Sequence, residues 1–160
     1  MSGQAVLAAE LVRLATQQSK TLGTAESLTA GLIAATVADI SGASAVLVGG
    51  VISYDPRVKR DVLGVPQTVI DGPGVVSEPC ARQMAEGARA LLKVDIAVSA
   101  TGVAGPTGGT DETPVGTVYI GLADARGTAV SHFRFDGGRQ AVRAQATAAA
   151  LALVLTSLKA

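Results

Sequence analysis

The segment around Ser27 has the residue types and spacing of a serine nucleophile. A short run that can form a strand, residues 21–24, precedes it, and apolar residues recur at helical spacing from Leu32 to Val37. Ser27 therefore falls at a predicted turn from strand to helix, beside unpaired backbone N–H groups of the helix start. Because such groups favour negative charge, a hydroxyl here could attack a carbonyl carbon with an oxyanion hole already in place.

A structural role for the same hydroxyl is the main alternative. Ser and Thr are common N-caps, and Thr29 competes with Ser27 for that position. The local pattern by itself favours a cap over a nucleophile. Both interpretations stay open at this level.

Lys59 lies in a second segment with chemical potential. Asp55-Pro56 predicts the start of a short helix that stops at Gly64, with Lys59 in its first turn. The positive end of the helix dipole and burial would both lower the pKa of the amine and free a neutral base. That is the requirement of a Ser–Lys dyad. The charges around Lys59 favour the alternative, a solvated turn.

Two further segments could bind an anion. Residues 101–110, rich in Gly and Thr, leave the C-terminal end of a predicted strand, where open α/β sheets bind ligands. Repeated glycines let N–H groups approach a phosphate, although no P-loop pattern is present. Arg139 and Arg143 lie four residues apart at the start of the last helix. The alternatives are a flexible surface loop and an exposed helix face.

Composition narrows the classes of function. The chain has 160 residues with 13 basic and 13 acidic side chains, so no charge surplus points to a nucleic-acid partner. Cys80 and His132 are the only residues of their types, which argues against a disulfide or a metal site. No apolar run is predicted to span a membrane, and Met1–Gln4 does not resemble a signal peptide. We expect a single cytoplasmic domain over residues 1–160, with no cofactor and no membrane partner.

The predicted element order is helix, strand, helix, strand, two helices, strand, hairpin, helix. It indicates an α/β fold: a three-layer α/β/α arrangement with a mixed, mostly parallel sheet, a C-terminal hairpin and a closing helix. The apolar run 45–54 predicts a buried strand, and its Gly49-Gly50 pair predicts a bulge or a close backbone approach. Residues 65–74 are expected to be a turn-rich connection. The helix 78–92 is expected to face inward with Met84, Ala85, Ala88 and Leu91.

Several motifs together resemble the CinA C-terminal-domain family of nicotinamide-nucleotide amidases. They occur in the family's order over nearly the whole chain. The resemblance rests on Thr24-Ala25-Glu26-Ser27, Val51-Ile52-Ser53-Tyr54 with Lys59, Gly74–Pro79, Gly102–Pro106 with Gly108-Gly109, Pro114–Val118 and Arg139–Arg143. The nucleotide-hydrolase domain that precedes this domain in longer members is expected to be absent.

The resemblance implies a metal-free deamidase that converts nicotinamide mononucleotide to nicotinic acid mononucleotide and ammonia. By analogy Ser27 is the nucleophile, Lys59 is its base, and Tyr54 orients the pair. A small-molecule nucleotide is the implied partner, and the family suggests a homodimer. The implied substrate-binding residues are Thr29, Thr101, Gly102, Gly105, Gly108, Gly109 and, for the phosphate, Arg139.

Three positions depart from the family's pattern. Leu28 and Ala30 replace a Cys and a Gly next to the nucleophile, which could narrow the pocket, and Thr113 replaces a frequent Lys. No dyad residue is lost, so the amidase is the preferred hypothesis. The alternatives are a nucleotide-binding regulatory module without catalysis and an amidase for another carboxamide.

Overall fold

The computed structural model describes residues 2–160, which contain one five-stranded sheet. β1 pairs in parallel with β2 and β3, whereas the β3–β4 and β4–β5 pairs are antiparallel. The sheet is therefore mixed, as predicted, and only β4 runs against the other four strands. The strands are β1 (Leu22–Glu26), β2 (Leu47–Ile52), β3 (Ile96–Gly102), β4 (Thr117–Asp124) and β5 (Gly127–Arg134), in the order β2-β1-β3-β4-β5.

Helices cover both faces of the sheet and complete the predicted three-layer α/β/α fold. One layer contains α1 (Gly3–Gln17), α2 (Leu32–Ala38) and α6 (Arg139–Lys159). The short helices α3 (Pro56–Asp61) and α4 (Gln67–Asp71) lead into α5 (Glu78–Leu92), which packs across the other face. The C-terminal hairpin and closing helix are confirmed, and α4 lies within the connection that was expected to be only turns.

Small side chains fill two cores, one on each face. The larger core joins α1, α2 and α6 to the sheet through residues such as Leu11, Ile33 and Leu151. The smaller core lies under α5 around Met84 and Ala88. With few aromatic residues available, close packing of Ala, Val, Leu and Ile lets the helices lie near the sheet.

Two predictions of burial were wrong. β2 is an edge strand with alternate exposed residues, because only β1 pairs with it; an apolar run alone does not reveal this. Leu91 is 51% exposed, because the buried stripe of α5 continues from Ala88 to Leu92, four residues on.

The expected bulge and close approach at Gly49-Gly50 are both present. The register between β1 and β2 shifts by one residue between Leu22 and Gly23, which pair with Leu47 and Gly49. A Cβ on Gly50 would lie only 2.2 Å from the Oγ1 of Thr24. The glycine therefore makes room for the buried Thr24 hydroxyl beside the site.

The prediction that no segment is long and apolar enough to span a membrane was wrong, because α6 meets both criteria. Its 21 residues include an 18-residue window with mean hydropathy 1.4, of which 44% is buried in the fold. The helix packs against α1 and the sheet and buries residues from Val142 to Leu158. Its apolar character is thus explained by its place in the core, since core helices share this composition.

Candidate active site

The carboxyl ends of three parallel strands meet at one edge of the sheet. Ser27 follows β1, Ser53 and Tyr54 follow β2, and Thr101 and Gly102 end β3. From β1 the chain proceeds to β2 on one side, and then crosses to β3 on the other side of β1. Such a switch in strand order opens a crevice at the carboxyl ends, where open α/β sheets place their ligands.

Lys59 contacts Ser27 although 32 residues separate them in the sequence. Its Nζ lies 2.9 Å from the Oγ of Ser27, 2.6 Å from the carbonyl oxygen of Ser53 and 3.2 Å from that of Tyr54. The Lys59 side chain is only 1% exposed. A neutral amine has two N–H donors and one lone pair, so it can donate to the two carbonyls and accept from the Ser27 hydroxyl.

Burial lowers the pKa of Lys59 below its ordinary value of 10.5. Cys80 and Asp55 would raise it, but burial also raises the pKa of the Cys80 thiol to about 11, so that thiol is uncharged near neutral pH. The expected contribution of the helix dipole stays a prediction, because Lys59 is the fourth of the six residues of α3 and belongs to its last turn as well as to its first. Desolvation of the ammonium is therefore what favours the neutral amine.

The N-terminus of α2 is not capped by a hydroxyl. Gly31 is the N-cap residue, with a φ of 98° and no side-chain cap, so neither Ser27 nor Thr29 has the structural role that the local pattern favoured. The Ser27 side chain instead forms its hydrogen bond with Lys59. The alternative interpretation of Ser27 as a cap is therefore wrong.

The Glu26 carboxylate, in place of an N-cap side chain, accepts hydrogen bonds from the backbone N–H groups at the start of α2. The donors are the backbone N–H groups of Gly31, Ile33 and Ala34, together with the hydroxyl of Thr24, and Glu26 is 1% exposed. These N–H groups are therefore occupied and cannot form the oxyanion hole that was expected there. Sequence reasoning missed this residue, whose only signal was an acidic side chain beside the nucleophile.

A cleft of about 260 Å³ contains the Ser27–Lys59 pair. The half-buried Val75 and Val76 give it an apolar wall. The hydroxyl of Thr101 donates to the carbonyl of Val75 at 2.7 Å and holds this wall to the end of β3. Of the predicted substrate-binding residues, the cleft is lined by Thr101, Gly102, Gly105, Gly108 and Arg139.

Two predicted substrate-binding residues do not line the cleft. Gly109 is exposed and lies against the backbone of Val115, where a Cβ would come within 2.7 Å of the Val115 nitrogen. Thr29 is fully buried, and its Oγ1 has no hydrogen-bond partner among residues 2–160. Gly109 and the side chain of Thr29 are therefore not placed to contact a ligand in the cleft.

Arg139 and Tyr54 hold each other at the cleft. Arg139 donates from Nη1 to the carbonyl of Gly105 and from Nη2 to the phenol oxygen of Tyr54, both at 2.9 Å. The Tyr54 side chain is 55% exposed, and only its backbone carbonyl reaches Lys59. The phenol therefore contacts Arg139, and the expected role of Tyr54 in orienting the dyad can be filled only by its backbone carbonyl.

Arg143 does not join Arg139 in an anion site. It donates from Nε to the carbonyl of Leu28 at 2.7 Å and from Nη2 to the carbonyl of Thr29 at 3.3 Å. It thus binds the loop that carries the nucleophile. The spacing of four from Arg139 correctly placed both residues on one face of α6, but the pattern could not show that their partners differ.

The side chains of other candidates lie mainly outside this chemistry. Leu28 lines the cleft, but its side chain belongs to the larger core cluster. His132 is stacked on Tyr119 in the β4–β5 hairpin, with ring centroids 4.5 Å apart. Within residues 2–160, no group of three or more His, Cys, Asp or Glu side chains is gathered in a way that could hold a metal ion.

Comparisons with known proteins agree with this architecture. The chain is 46% identical over 142 residues to a CinA-like protein of Syntrophus aciditrophicus and 44% identical over 141 residues to one of Geobacter sulfurreducens. Each match covers 88% of this chain and 34% of the relative. The chain thus spans about a third of the length of these curated relatives.

Solved structures match along almost their whole length. The competence/damage inducible protein CihA from Agrobacterium tumefaciens has a TM-score of 0.93 and 36% identity, covering 100% of this chain and 98% of that one. The competence damage-inducible protein A from Klebsiella pneumoniae has a TM-score of 0.94 and 35% identity, covering 98% and 97%. A sequence profile of the CinA C-terminal domain matches residues 4–158. The chain therefore belongs to the CinA C-terminal domain family.

Proposed function

We propose that this protein is an amide hydrolase that uses Ser27 as nucleophile and Lys59 as general base. The observation that carries the proposal is the 2.9 Å contact between a buried lysine amine and a serine hydroxyl in a cleft. An unactivated serine is a weak nucleophile, and an adjacent base of suitable pKa activates it. Desolvation moves the pKa of Lys59 in the direction that this role needs.

In the first half of the reaction, the Oγ of Ser27 attacks the carboxamide carbon while Nζ of Lys59 takes the hydroxyl proton. The carbonyl π electrons move to oxygen and form a tetrahedral oxyanion. When the C–N bond breaks, Lys59 returns that proton to the leaving nitrogen, which departs as ammonia. The carbonyls of Ser53 and Tyr54 keep the amine aimed at Ser27 throughout these transfers.

The second half restores the enzyme. Lys59 removes a proton from water, whose oxygen attacks the ester carbon of the acyl-enzyme. The ester C–O bond then breaks, and the proton passes from Lys59 to the Oγ of Ser27. The sum is one amide and one water converted to one carboxylic acid and one ammonia, with no redox step.

The cleft lining favours an anionic ligand with an apolar ring. Apart from the base Lys59, the basic side chain that lines it is Arg139, and no carboxylate lines it. Arg139 is tethered only by neutral oxygens, so its positive charge is available to a phosphate. The wall of Val75 and Val76 offers a surface for a flat ring. We therefore propose nicotinamide mononucleotide as substrate and nicotinic acid mononucleotide as product.

Ammonia release from nicotinamide mononucleotide tests this proposal. Wild type is expected to turn over many times, and Ser27→Ala and Lys59→Met to lose at least about 10³-fold in kcat while remaining folded. Ser44→Ala and Lys159→Met are matched controls at exposed positions and should keep wild-type rates. Full activity in Lys59→Met would exclude the dyad.

The same assay separates the alternatives. Nicotinamide riboside and nicotinamide lack the phosphate, and we expect Arg139→Met to reduce the preference for the nucleotide over the riboside. Hydrolysis of the riboside in preference to the nucleotide would point to another carboxamide. Nucleotide binding in a calorimeter without ammonia release by folded wild type would support a regulatory module.

A further inference from the structure

We propose that the backbone N–H groups of Leu28 and Thr29 form the oxyanion hole, and that Arg143 is the positioning residue that aims the N–H of Thr29. The inference rests on the proposed function, because an oxyanion arises only if Ser27 attacks a carbonyl. It assigns the donors to the loop of residues 27–31, which we call the nucleophile loop. It also gives a role to an arginine that contacts neither member of the dyad.

Two successive backbone donors in the nucleophile loop lack partners. The N–H of Ser27 donates to the carbonyl of Ala100, and the N–H of Ala30 donates to the carbonyl of Ser27. Between them, the N–H groups of Leu28 and Thr29 donate to no residue within the described chain, although both residues are buried. Buried unpaired N–H groups are rare because each is costly. Two of them directly after a nucleophile are suited to a ligand oxygen.

The contacts of Arg143 explain how the second of these donors, the N–H of Thr29, is held. In a trans peptide the C=O and the N–H point in opposite directions. Nε of Arg143 binds the carbonyl of Leu28 at 2.7 Å, so the N–H of Thr29, in the same peptide unit, points away from α6. The second bond, from Nη2 to the carbonyl of Thr29, fixes the next peptide unit as well.

The positive charge of Arg143 strengthens the N–H donor that its hydrogen bonds orient. Its guanidinium forms no ion pair among residues 2–160, so its positive charge is not neutralised locally. A cation that binds the oxygen of a peptide polarises it and makes its N–H a stronger donor. The effect grows as negative charge develops on the substrate oxygen. Loss of Arg143 should therefore lower kcat rather than raise KM.

Steady-state kinetics of Arg143→Met and Arg143→Lys test the proposal, with Arg139→Met as the matched control on the same face of α6. We expect kcat of Arg143→Met to fall about 100-fold with KM nearly unchanged. Arg143→Lys should recover about tenfold of that loss, since an ammonium can hold one carbonyl but not two. Arg139→Met should mainly raise KM. A folded Arg143→Met with wild-type kcat, or with only a raised KM, would overturn the proposal.

A second measurement does not depend on turnover. Pyridine-3-boronic acid can form a B–O bond with the Oγ of Ser27, leaving a boron hydroxyl where the oxyanion would lie. The amide proton resonances of Leu28 and Thr29 should then move downfield in wild type and move less in Arg143→Lys. If wild type releases no ammonia but both amides respond, the substrate is wrong and the inference stands. A folded wild type that forms no adduct, or an adduct that leaves both amides unmoved, overturns it.

Discussion

The two loops that flank the cleft are built in opposite ways. The nucleophile loop begins with three buried residues and is held by the carboxylate of Glu26 at its base and by Arg143 on its carbonyls. The second loop, residues 103–109, which we call the glycine loop, is exposed from residue 106 onward. From residue 104 to residue 109, its one hydrogen bond to the rest of the described chain is the carbonyl of Gly105 accepting from Arg139.

This difference separates chemistry from substrate binding. A nucleophile and its donors must be held within a fraction of an ångström of their working geometry, which buried hydrogen bonds provide. A loop that closes over a ligand can form its contacts when the ligand arrives. We therefore expect changes in the nucleophile loop to affect kcat and stability, and changes in the glycine loop to affect KM.

The largest effect should be that of pH on kcat/KM, because pH changes the protonation of Lys59. The neutral amine is the base, and burial lowers its pKa below 10.5, so kcat/KM should rise tenfold per pH unit and level off above that lowered pKa. Ammonia release measured across pH checks this. The midpoint should be the same in a glycine-loop variant, Gly108→Ala, because that loop does not titrate. A midpoint at the ordinary lysine pKa would contradict the role of burial.

The free energy of unfolding should also depend on the ionisation of Lys59, and it should also rise with pH. Because the folded pKa of Lys59 lies below its unfolded value, the unfolded chain binds more protons between the two values. The contribution of Lys59 to the free energy of unfolding therefore rises with pH through that window and is lowest below the folded pKa. Lys59→Met should remove this pH dependence, which urea unfolding at several pH values would measure.

Glu26→Gln should remove hydrogen bonds that hold the base of the nucleophile loop. The amide nitrogen cannot accept the hydrogen bonds that one carboxylate oxygen accepts now, so a partly buried donor such as the N–H of Ala34 loses its partner. We expect a loss of about 2 kcal/mol in the free energy of unfolding and a fall in kcat larger than any change in KM. Urea unfolding and steady-state kinetics measure both.

The matched control for this variant is Glu78→Gln. Glu78 forms a partly exposed pair with Arg82 one turn along α5, and such pairs contribute about 1 kcal/mol or less. Equal losses of stability in the two variants would show that Glu26 is no more than another surface carboxylate in energetic terms.

Sequence reasoning reached the fold and the components of the site but not their arrangement. The period of apolar residues, the turn residues and the order of elements along the chain follow from local pattern, which is why the α/β layers were predictable. The 32-residue separation of Ser27 and Lys59 is closed only by strand pairing, so their contact rested on a resemblance until the fold was known. The partners of Glu26 and Arg143 are mostly backbone groups, and sequence alone does not show where a side chain meets backbone.

Gly108→Ala should affect the glycine loop without affecting the chemistry. Gly108 has a φ of 91°, which costs an L-residue roughly 1–2 kcal/mol, although a Cβ there meets nothing closer than 3.8 Å. Because the loop is exposed, we expect it to shift locally, raising KM several-fold at unchanged kcat. Gly3→Ala, in open space at an ordinary φ, is the control. A drop in kcat with constant KM would contradict the separation of roles.

Ala30→Gly should give the smallest effect, with the opposite sign for stability. Ala30 has a φ of 47°, a left-handed conformation that disfavours an L-residue and that glycine adopts without strain. Relief of that strain exceeds the entropy that glycine adds to the unfolded chain, so we expect a gain of up to about 1 kcal/mol in urea unfolding. Ala90→Gly, at an exposed position inside α5, should instead lose about 1 kcal/mol. Because Glu26 and Arg143 hold the nucleophile loop from both sides, kcat of Ala30→Gly should stay at the wild-type level. A fall in kcat would show that the strained alanine itself, and not those two side chains, keeps the loop in its working conformation.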